Sequence, residues 1–406
     1  MRIVAFCPQS PMNPLSSLLA LPEEQKQARG LLHTPKEIAQ QPETWQATYE
    51  RFRERHAEIR EFLQSASVSW DPTRRPTVFL IGAGTSDYVG RSLAQLLRRL
   101  WQCEVLAVPS TDLLTHPDEW LMRGRPYLWI SFSRSGESPE GIAVVERALQ
   151  SHPGIHHLIV SCNAQARMLR LTAGRKQVLG ISLPDAVHDR GLAMTGSFSN
   201  MVVFGQCLAH VETLDSYGNI LHQLVGAGTN FRDLAAASAA RLASENVTKA
   251  CFVGSGALKA VATESALKLL ELTAGKMQTM SESALGLRHG PMAALDEQTL
   301  LVAFLSGDEK VRSYEMDLLE EIGKKHLVKT RAVVSPAANW RLDGQAEHVL
   351  AHMPSLTIAD DYRPPLDAMF GQLLGLFFSL RCGLKPDCPS PSGAISRVVQ
   401  NVLIHS

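Results

Sequence analysis

The segment "TESALKLLELTAGK" (263–276) sets Glu264, Lys268 and Glu271 four and then three residues apart. A helix turns once in roughly 3.6 residues, so the three side chains share one face. Two readings of that face compete. Glutamate four residues before lysine is a common surface ion pair. The same stripe, however, continues toward Leu267 and Ala274 in a segment otherwise rich in apolar residues, and charges turned inward need a reason to be there. A partly buried carboxylate beside a lysine can serve as a general base. Further on, "LGLRHGP" (285–291) holds His289 between Arg288 and Gly290-Pro291. Bounded by chain breakers, this imidazole is conformationally fixed and suited to moving protons near neutral pH. A lone loop histidine is also, very often, no more than exposed surface.

A second kind of chemistry is written in hydroxyls. "SFSRSGESPEG" (131–141) follows "YLWI", an apolar run of strand type, and brings Ser133, Arg134, Ser135 and Ser138 together. Small residues let backbone approach a ligand, and hydroxyls with free amides at a helix N-terminus bind an anion, most often phosphate. An ordinary capped turn, with Ser138 as N-cap and Glu137 or Glu140 favouring the helix dipole, also explains the segment. "GAGTSDYVG" (82–90) carries Thr85 and Ser86 in a similar setting. As a dinucleotide loop it fits poorly: Asp87 stands where a third glycine is required, and Glu104 comes too early to hold a ribose. Two hydroxyl-rich turns suit one phosphate monoester better. No metal is expected. Cys382 and Cys388 have five residues between them, which is not a zinc spacing, and His348 and His352, four apart, read as a surface pair.

These residues need elements to hold them. "TVFLIGAGTSDYVGRSLAQLL" (77–97) reads as strand, glycine turn and amphipathic helix. The grammar recurs: "VFLIGAGTS" (78–86) resembles "CFVGSGALK" (251–259), "LWISFSRSGE" (128–137) resembles "LLVAFLSGDE" (300–309), and "LIVSCN" (158–163) resembles "AVVSPA" (332–337). Three collinear matches at nearly one offset imply two similar α/β domains, each a mostly parallel sheet flanked by helices in three layers. Both serine turns would then lie beyond the carboxyl ends of strands, where such sheets bind ligands. The expected divisions are an arm and helix over 1–75, a first domain over 76–220, and a second with a C-terminal tail over 221–406. Residues 1–35, rich in Pro, Ser and Gln, read as irregular. Trp45, Tyr49, Phe52, Ile59, Phe62 and Leu63 then recur at helical spacing. "DPTRRP" (71–76) breaks the chain, and "AMFGQLLGLFFSL" (368–380) reads as a buried helix, too short to span a bilayer.

Composition narrows the partners. Lys+Arg and Asp+Glu both number 40 in 406 residues, so no overall field draws nucleic acid or an anionic membrane. Seven scattered cysteines without a framework, and no continuous signal-peptide core, point to a reducing cytoplasm.

The paired turns resemble the sugar isomerase (SIS) domain, a phosphosugar-binding module, and the duplication resembles the tandem pair in the isomerase half of glucosamine-6-phosphate synthase. "LLHTPKEIAQQPETW" (31–45), "HDRGLAMTGSFSNM" (188–201), "ESALKLLELTAG" (264–275), "LGLRHGP" (285–291) and "SPSGAISRVVQ" (390–400) together resemble the AgaS family of galactosamine-6-phosphate deaminase/isomerases, or tagatose-6-phosphate ketose/aldose isomerases. The resemblance runs from about residue 30 to the C-terminus.

It implies a hexosamine or ketohexose 6-phosphate as ligand, no cofactor, and a homodimer. Thr85, Ser86, Ser133, Ser135 and Ser138 would hold the phosphate. Arg134, which replaces an uncharged residue of the synthase, would add charge, and Arg397 of the tail would clamp substrate oxygens. His289, supplied by the neighbouring subunit, would open the sugar ring. Glu271 would move a proton from C2 to C1, with Lys268 or Glu264 stabilising or relaying charge. Deamination and plain isomerisation both remain open, as does the sugar epimer. A non-enzymatic phosphosugar sensor is the contrasting possibility. It would need a partner surface or a DNA-binding element, and the first 75 residues hold no basic recognition helix.

Overall fold

The computed structural model describes residues 13–67, 75–336, 344–352, 358–399 and 402–405. The arm carries helices α1 (Pro14–Leu19), α2 (Glu23–Arg29), α3 (Thr34–Ala39), α4 (Gln41–Glu54) and α5 (His56–Ser65). The first domain then runs β1 (Thr77–Gly82), α6 (Thr85–Trp101), β2 (Val105–Pro109), α7 (Ser110–Thr115), α8 (Pro117–Trp120), β3 (Tyr127–Ser133), α9 (Pro139–Ser151), β4 (His156–Ser161), α10 (Arg167–Thr172) and β5 (Val178–Ser182). Helices α11 (Gly196–Ala209) and α12 (Leu214–Ala243) lead to the second domain: β6 (Lys249–Gly254), α13 (Ala257–Leu272), β7 (Gln278–Ser283), β8 (Thr299–Phe304), α14 (Glu309–Lys324), β9 (Thr330–Ser335), β10 (His348–Ala351) and α15 (Pro364–Arg381).

Each domain holds a parallel five-stranded sheet, ordered β2-β1-β3-β4-β5 in the first and β7-β6-β8-β9-β10 in the second. The order is the same, and β1, β3 and β4 correspond to β6, β8 and β9, as the repeated segments require. The match reaches the backbone. Gly84 and Gly256, each preceding the first helix of its domain, take φ +55° and +57°, a region that favours glycine. The sheets are covered on both faces, so their central strands are continuously apolar: β1 and β8 are buried at every position. Helix α11, buried along its whole length, packs between α4 and α6, and α6 packs on α13. That last contact joins the two domains through their first helices.

The arm departs from the irregular reading. From residue 13 onward it is helical, because the prolines sit at first turns and the caps are in place. Asn13 accepts the Leu15 amide at 2.9 Å, Pro14 and Pro35 open α1 and α3, and Gly30 closes α2 in a left-handed conformation. Leu15 and Leu18 are buried in the core. Residues 1–12 and most of the break at 71–76 lie outside the described residues.

His348 and His352 also correct the sequence reading. Neither is on the surface: they are 7% and 3% exposed. His348 pairs with Glu245 at 3.0 Å and His352 with Asp367 at 2.7 Å. Spacing alone could not show that 348–351 is a strand, against which α12 packs. The division expected at 220/221 falls inside α12, a continuous 30-residue helix. The tail lies on the first domain, not the second, with Arg397 bonded to Asp189 and Arg147 to the His405 carbonyl.

Candidate active site

The three charged residues of α13 form one buried cluster. Lys268 Nζ stands 2.5 Å from Glu271 Oε2 and 3.6 Å from Glu264 Oε1. Glu264 and Lys268 are fully enclosed, whereas the Glu271 side chain is 25% exposed. This excludes the surface-pair reading. Burial pushes the Glu264 carboxyl up to about 8, with Glu271 adding to the effect against Lys268 and the Thr85 hydroxyl. Neither Glu264 oxygen reaches full hydrogen-bonding geometry. Burial by itself would lower the Lys268 ammonium, but Glu264 and Glu271 outweigh it and raise it. The cluster is therefore a neutral Glu264 and a charged Lys268 beside Glu271, whose side chain meets solvent. An enclosed carboxyl raised by burial next to an accessible one can supply an acid and a base in one site.

The helix is positioned by small residues. A Cβ on Gly371 of α15 would stand 2.2 Å from Ser265 Oγ, and one on Gly375 3.0 Å from the Lys268 carbonyl. The two helices touch backbone to backbone at the turn that carries the lysine.

The hydroxyl-rich turns lie at the carboxyl ends of β1 and β3 and line a cavity of about 140 Å³, bounded by Ser86, Ser133, Arg134, Ser135, Ser138 and tail residues Arg397 to Val399. Ser133 Oγ accepts the Gly136 amide at 2.9 Å and Ser135 Oγ the Glu137 amide at 3.2 Å. Accepting leaves each O–H to donate to a ligand. Ser138 caps α9, accepting from Gly141 and donating to Glu140. The turn is thus both a capped helix start and the wall of an anion-sized cavity. Ser86 lies beside Met194. Thr85 does not line the cavity; it is buried and turned to Glu264, where it ties the first turn of α6 to the charged cluster.

The two arginines are engaged with the protein itself. Arg134 donates to the carbonyls of Leu192 (2.8 Å), Gly191 (3.4 Å) and Arg397. Arg397 donates through Nε to the Asp189 carbonyl at 3.0 Å. Burial lowers Arg134, opposed by Asp189 and Glu271. Glu271 thus favours, through space, the charge of a residue in the cavity wall.

His289 is not brought to them within the chain. β7 runs beside α13 in the opposite sense: Thr279 bonds to Ala266, Ser281 to Thr263, and Glu282 to Lys259. His289 is exposed and lies beyond the end of β7, the end at which Glu282 meets Lys259 in the first turn of α13. Lys259 and Glu271 are separated by about 18 Å along the helix axis at ~1.5 Å per residue.

Asp189 was not identified from the sequence. Its carboxylate accepts the amides of Thr195 (2.7 Å), Gly196 (3.1 Å) and Ser197 (2.9 Å), capping α11. The second domain's strand end also differs. At the end of β8 the Ser306 amide donates to Glu315 at 2.8 Å and the Gly307 amide to Asp360 at 2.8 Å. The protein's own carboxylates occupy the donors there, and Phe304, Leu305, Leu318 and Leu319 fill the space. Among the described residues, no cluster of three or more His, Cys, Asp or Glu is placed to hold a metal ion. Nor is any helix long and apolar enough to cross a membrane.

No protein-family profile matches the sequence. Individual proteins do. The chain is 37% identical over 380 residues to an AgaS protein of Streptomyces coelicolor, covering 92% of this chain and 96% of that one. It is 33% identical over 403 residues to the D-galactosamine-6-phosphate deaminase AgaS of Shewanella sp. ANA-3, covering 98% of each. The crystal structure of tagatose-6-phosphate ketose/aldose isomerase from Escherichia coli superposes with a TM-score of 0.82 at 30% identity, covering 92% of this chain and 96% of that one. With its paired parallel sheets, its serine-lined cavity and this similarity along nearly the whole length, the chain belongs to the AgaS family of tandem SIS-domain proteins.

Proposed function

We propose that this protein is an amino-sugar phosphate deaminase/isomerase, converting D-galactosamine-6-phosphate to tagatose-6-phosphate and ammonia. The observation that carries the reading is the Glu264–Lys268–Glu271 cluster, whose one accessible carboxyl acts electrostatically on Arg134 of the phosphate-sized cavity. A sensor needs the cavity; it has no need of a buried lysine held between two carboxyls.

Ser86, Ser133 and Ser135 donate to the 6-phosphate from the two strand-end turns. Ring opening exposes the C1 aldehyde. Glu271, 2.5 Å from the Lys268 ammonium, removes the C2 proton and returns it to C1. Glu264, neutral at working pH, and Lys268 balance the charge that develops on O1. The enolamine becomes a ketimine, to which water adds at C2, and ammonia leaves. A substrate bearing a hydroxyl at C2 would undergo the same proton transfer as plain aldose–ketose isomerisation, the activity named for the Escherichia coli structure.

His289 serves the ring-opening step from a second copy of the chain, since its own Glu271 lies at the other end of α13. Leu285 in the His289 loop and Leu270 beside Glu271 are 47% and 40% exposed, so both sides of such a contact present apolar surface. The working form is then a homodimer or larger, in the cytoplasm. The test supplies galactosamine-6-phosphate and glucosamine-6-phosphate separately and measures ammonia, ketose phosphate and C2 proton exchange with deuterated water. Exchange without ammonia would reduce the reading to isomerisation. Binding without exchange would make the protein a sensor.

A further inference from the structure

Glu37 reaches the site from the arm, outside both sheets. It is 6% exposed, and its carboxyl accepts the amides of Arg190 at 2.5 Å and Gly191 at 3.3 Å. Those amides belong to the 188–192 loop, three of whose carbonyls seat the site's arginines: Gly191 and Leu192 accept from Arg134, and Asp189 accepts from Arg397. Arg134 also holds the Arg397 carbonyl, and the next two residues, Val398 and Val399, wall the cavity. The tail is pinned to the same loop at its start. The Leu192 amide donates to the Asp387 carbonyl at 3.0 Å, while the Asp387 carboxylate takes the Thr34 amide and hydroxyl at 2.7 and 2.8 Å. The loop is pressed on α3 so closely that a Cβ on Gly191 would stand 2.8 Å from Thr34 Oγ1 and 3.1 Å from Glu37 Oε2.

We propose that Glu37 is a positioning residue for substrate binding: by holding the Arg190 and Gly191 amides it fixes the loop on which Arg134 and Arg397 are seated, and with them the tail wall of the phosphate cavity. The ligand named for that cavity rests on the function proposed above; the positioning does not. Glu37 touches no reacting atom. It sets the phosphate end of the substrate equally in the ground and transition states, so its loss falls on KM and leaves kcat. Burial, with Asp189 and Asp387 adding to it, pushes the Glu37 carboxyl up to about 8 against the two amides. At neutral pH it therefore accepts as a neutral acid does, and Glu37→Gln is its close mimic.

The test compares Glu37→Ala and Glu37→Gln with the unaltered protein in two measurements. One is galactosamine-6-phosphate turnover; the other is the rate of tryptic cutting after Arg397. Glu37→Ala leaves two amides unpaired. It is expected to raise KM about 10-fold with kcat within about threefold. Tail cutting is expected to quicken by about 10-fold, and Glu37→Gln should restore both. Should Glu37→Ala not fold, Glu37→Asp withdraws the carboxyl by one methylene and is read the same way. Unchanged KM and unchanged cutting in a folded Glu37→Ala or Glu37→Asp protein would overturn the proposal. So would a Glu37→Gln protein as impaired as the alanine variant. If the unaltered protein turns over no galactosamine-6-phosphate, the cutting rates still decide the role of Glu37, and only the functional reading falls.

Discussion

At the scale of residues, Glu271 and Glu264 have separable tasks. Glu271→Gln removes the accessible base and leaves the cavity untouched, so phosphate binding is expected to survive while turnover and C2 exchange fall together by ~10²–10⁴-fold. Glu264→Gln keeps the neutral form that burial already imposes, so its expected effect is on stability. The folded Glu264 sits at about 8 against an ordinary 4.5. The stability this contributes is whole below pH 4.5 and declines as pH rises toward 8, because the unfolded chain ionises first. Glu264→Gln should remove that share of the decline, seen as a flatter dependence of unfolding midpoint on pH between 5 and 8. If Glu264→Gln abolishes exchange and Glu271→Gln does not, the two roles are reversed. The shared face of this trio was legible from spacing alone, since helical periodicity is local. The engagements of Thr85, Arg134 and Arg397 were not. Each depends on a segment far along the chain: α13 for Thr85, and the 188–192 loop for the arginines.

At the scale of elements, the catalytic face depends on how closely α15 lies against α13. A methyl on Gly371 would stand 2.2 Å from Ser265 Oγ and 2.7 Å from its Cα, so backbone must move. Gly371→Ala is expected to cost about 1–3 kcal/mol of stability and to lower kcat more than KM, because the displaced turn carries Lys268. Gly226→Ala on α12 is the contrast. Nothing lies within 4 Å of a Cβ there, and replacing an exposed helical glycine should stabilise by roughly 0.5–1 kcal/mol. Thermal unfolding and steady-state kinetics on the pair decide this; equal behaviour would mean that α15 does not set the catalytic turn. The strands were readable because parallel, doubly covered strands are continuous apolar runs, and because the repeat supplied each one twice. The arm was misread for the opposite reason. Its first three helices have six or seven residues each and owe their form to caps and, for α1 and α3, to packing on α12 and α15, so propensity gives little warning of them.

At the scale of the molecule, duplication has produced one ligand cavity and one strand end closed by Glu315 and Asp360. The second domain has a different part: its α13 packs on α6 of the first domain, and His289 lies beyond the end of its edge strand β7. In the proposed mechanism such a chain supplies the phosphate site and the base, and its histidine serves the ring opening in another copy. Two chains placed so that each His289 loop meets the other's Glu271 would complete both sites. Mixing settles whether they do. His289→Ala and Glu271→Gln proteins, each nearly inactive on the cyclic substrate, should regain activity when their subunits exchange. In a mixed dimer, one of the two sites then pairs an intact base with an intact histidine. Random exchange of equal amounts makes half the dimers mixed, so about a quarter of all sites, and of full activity, should return. His289→Ala alone should still exchange a C1 proton of a tagatose phosphate supplied in open-chain form, since that step bypasses ring opening. No recovery after exchange verified by mass would place both functions within one chain and overturn the two-chain site.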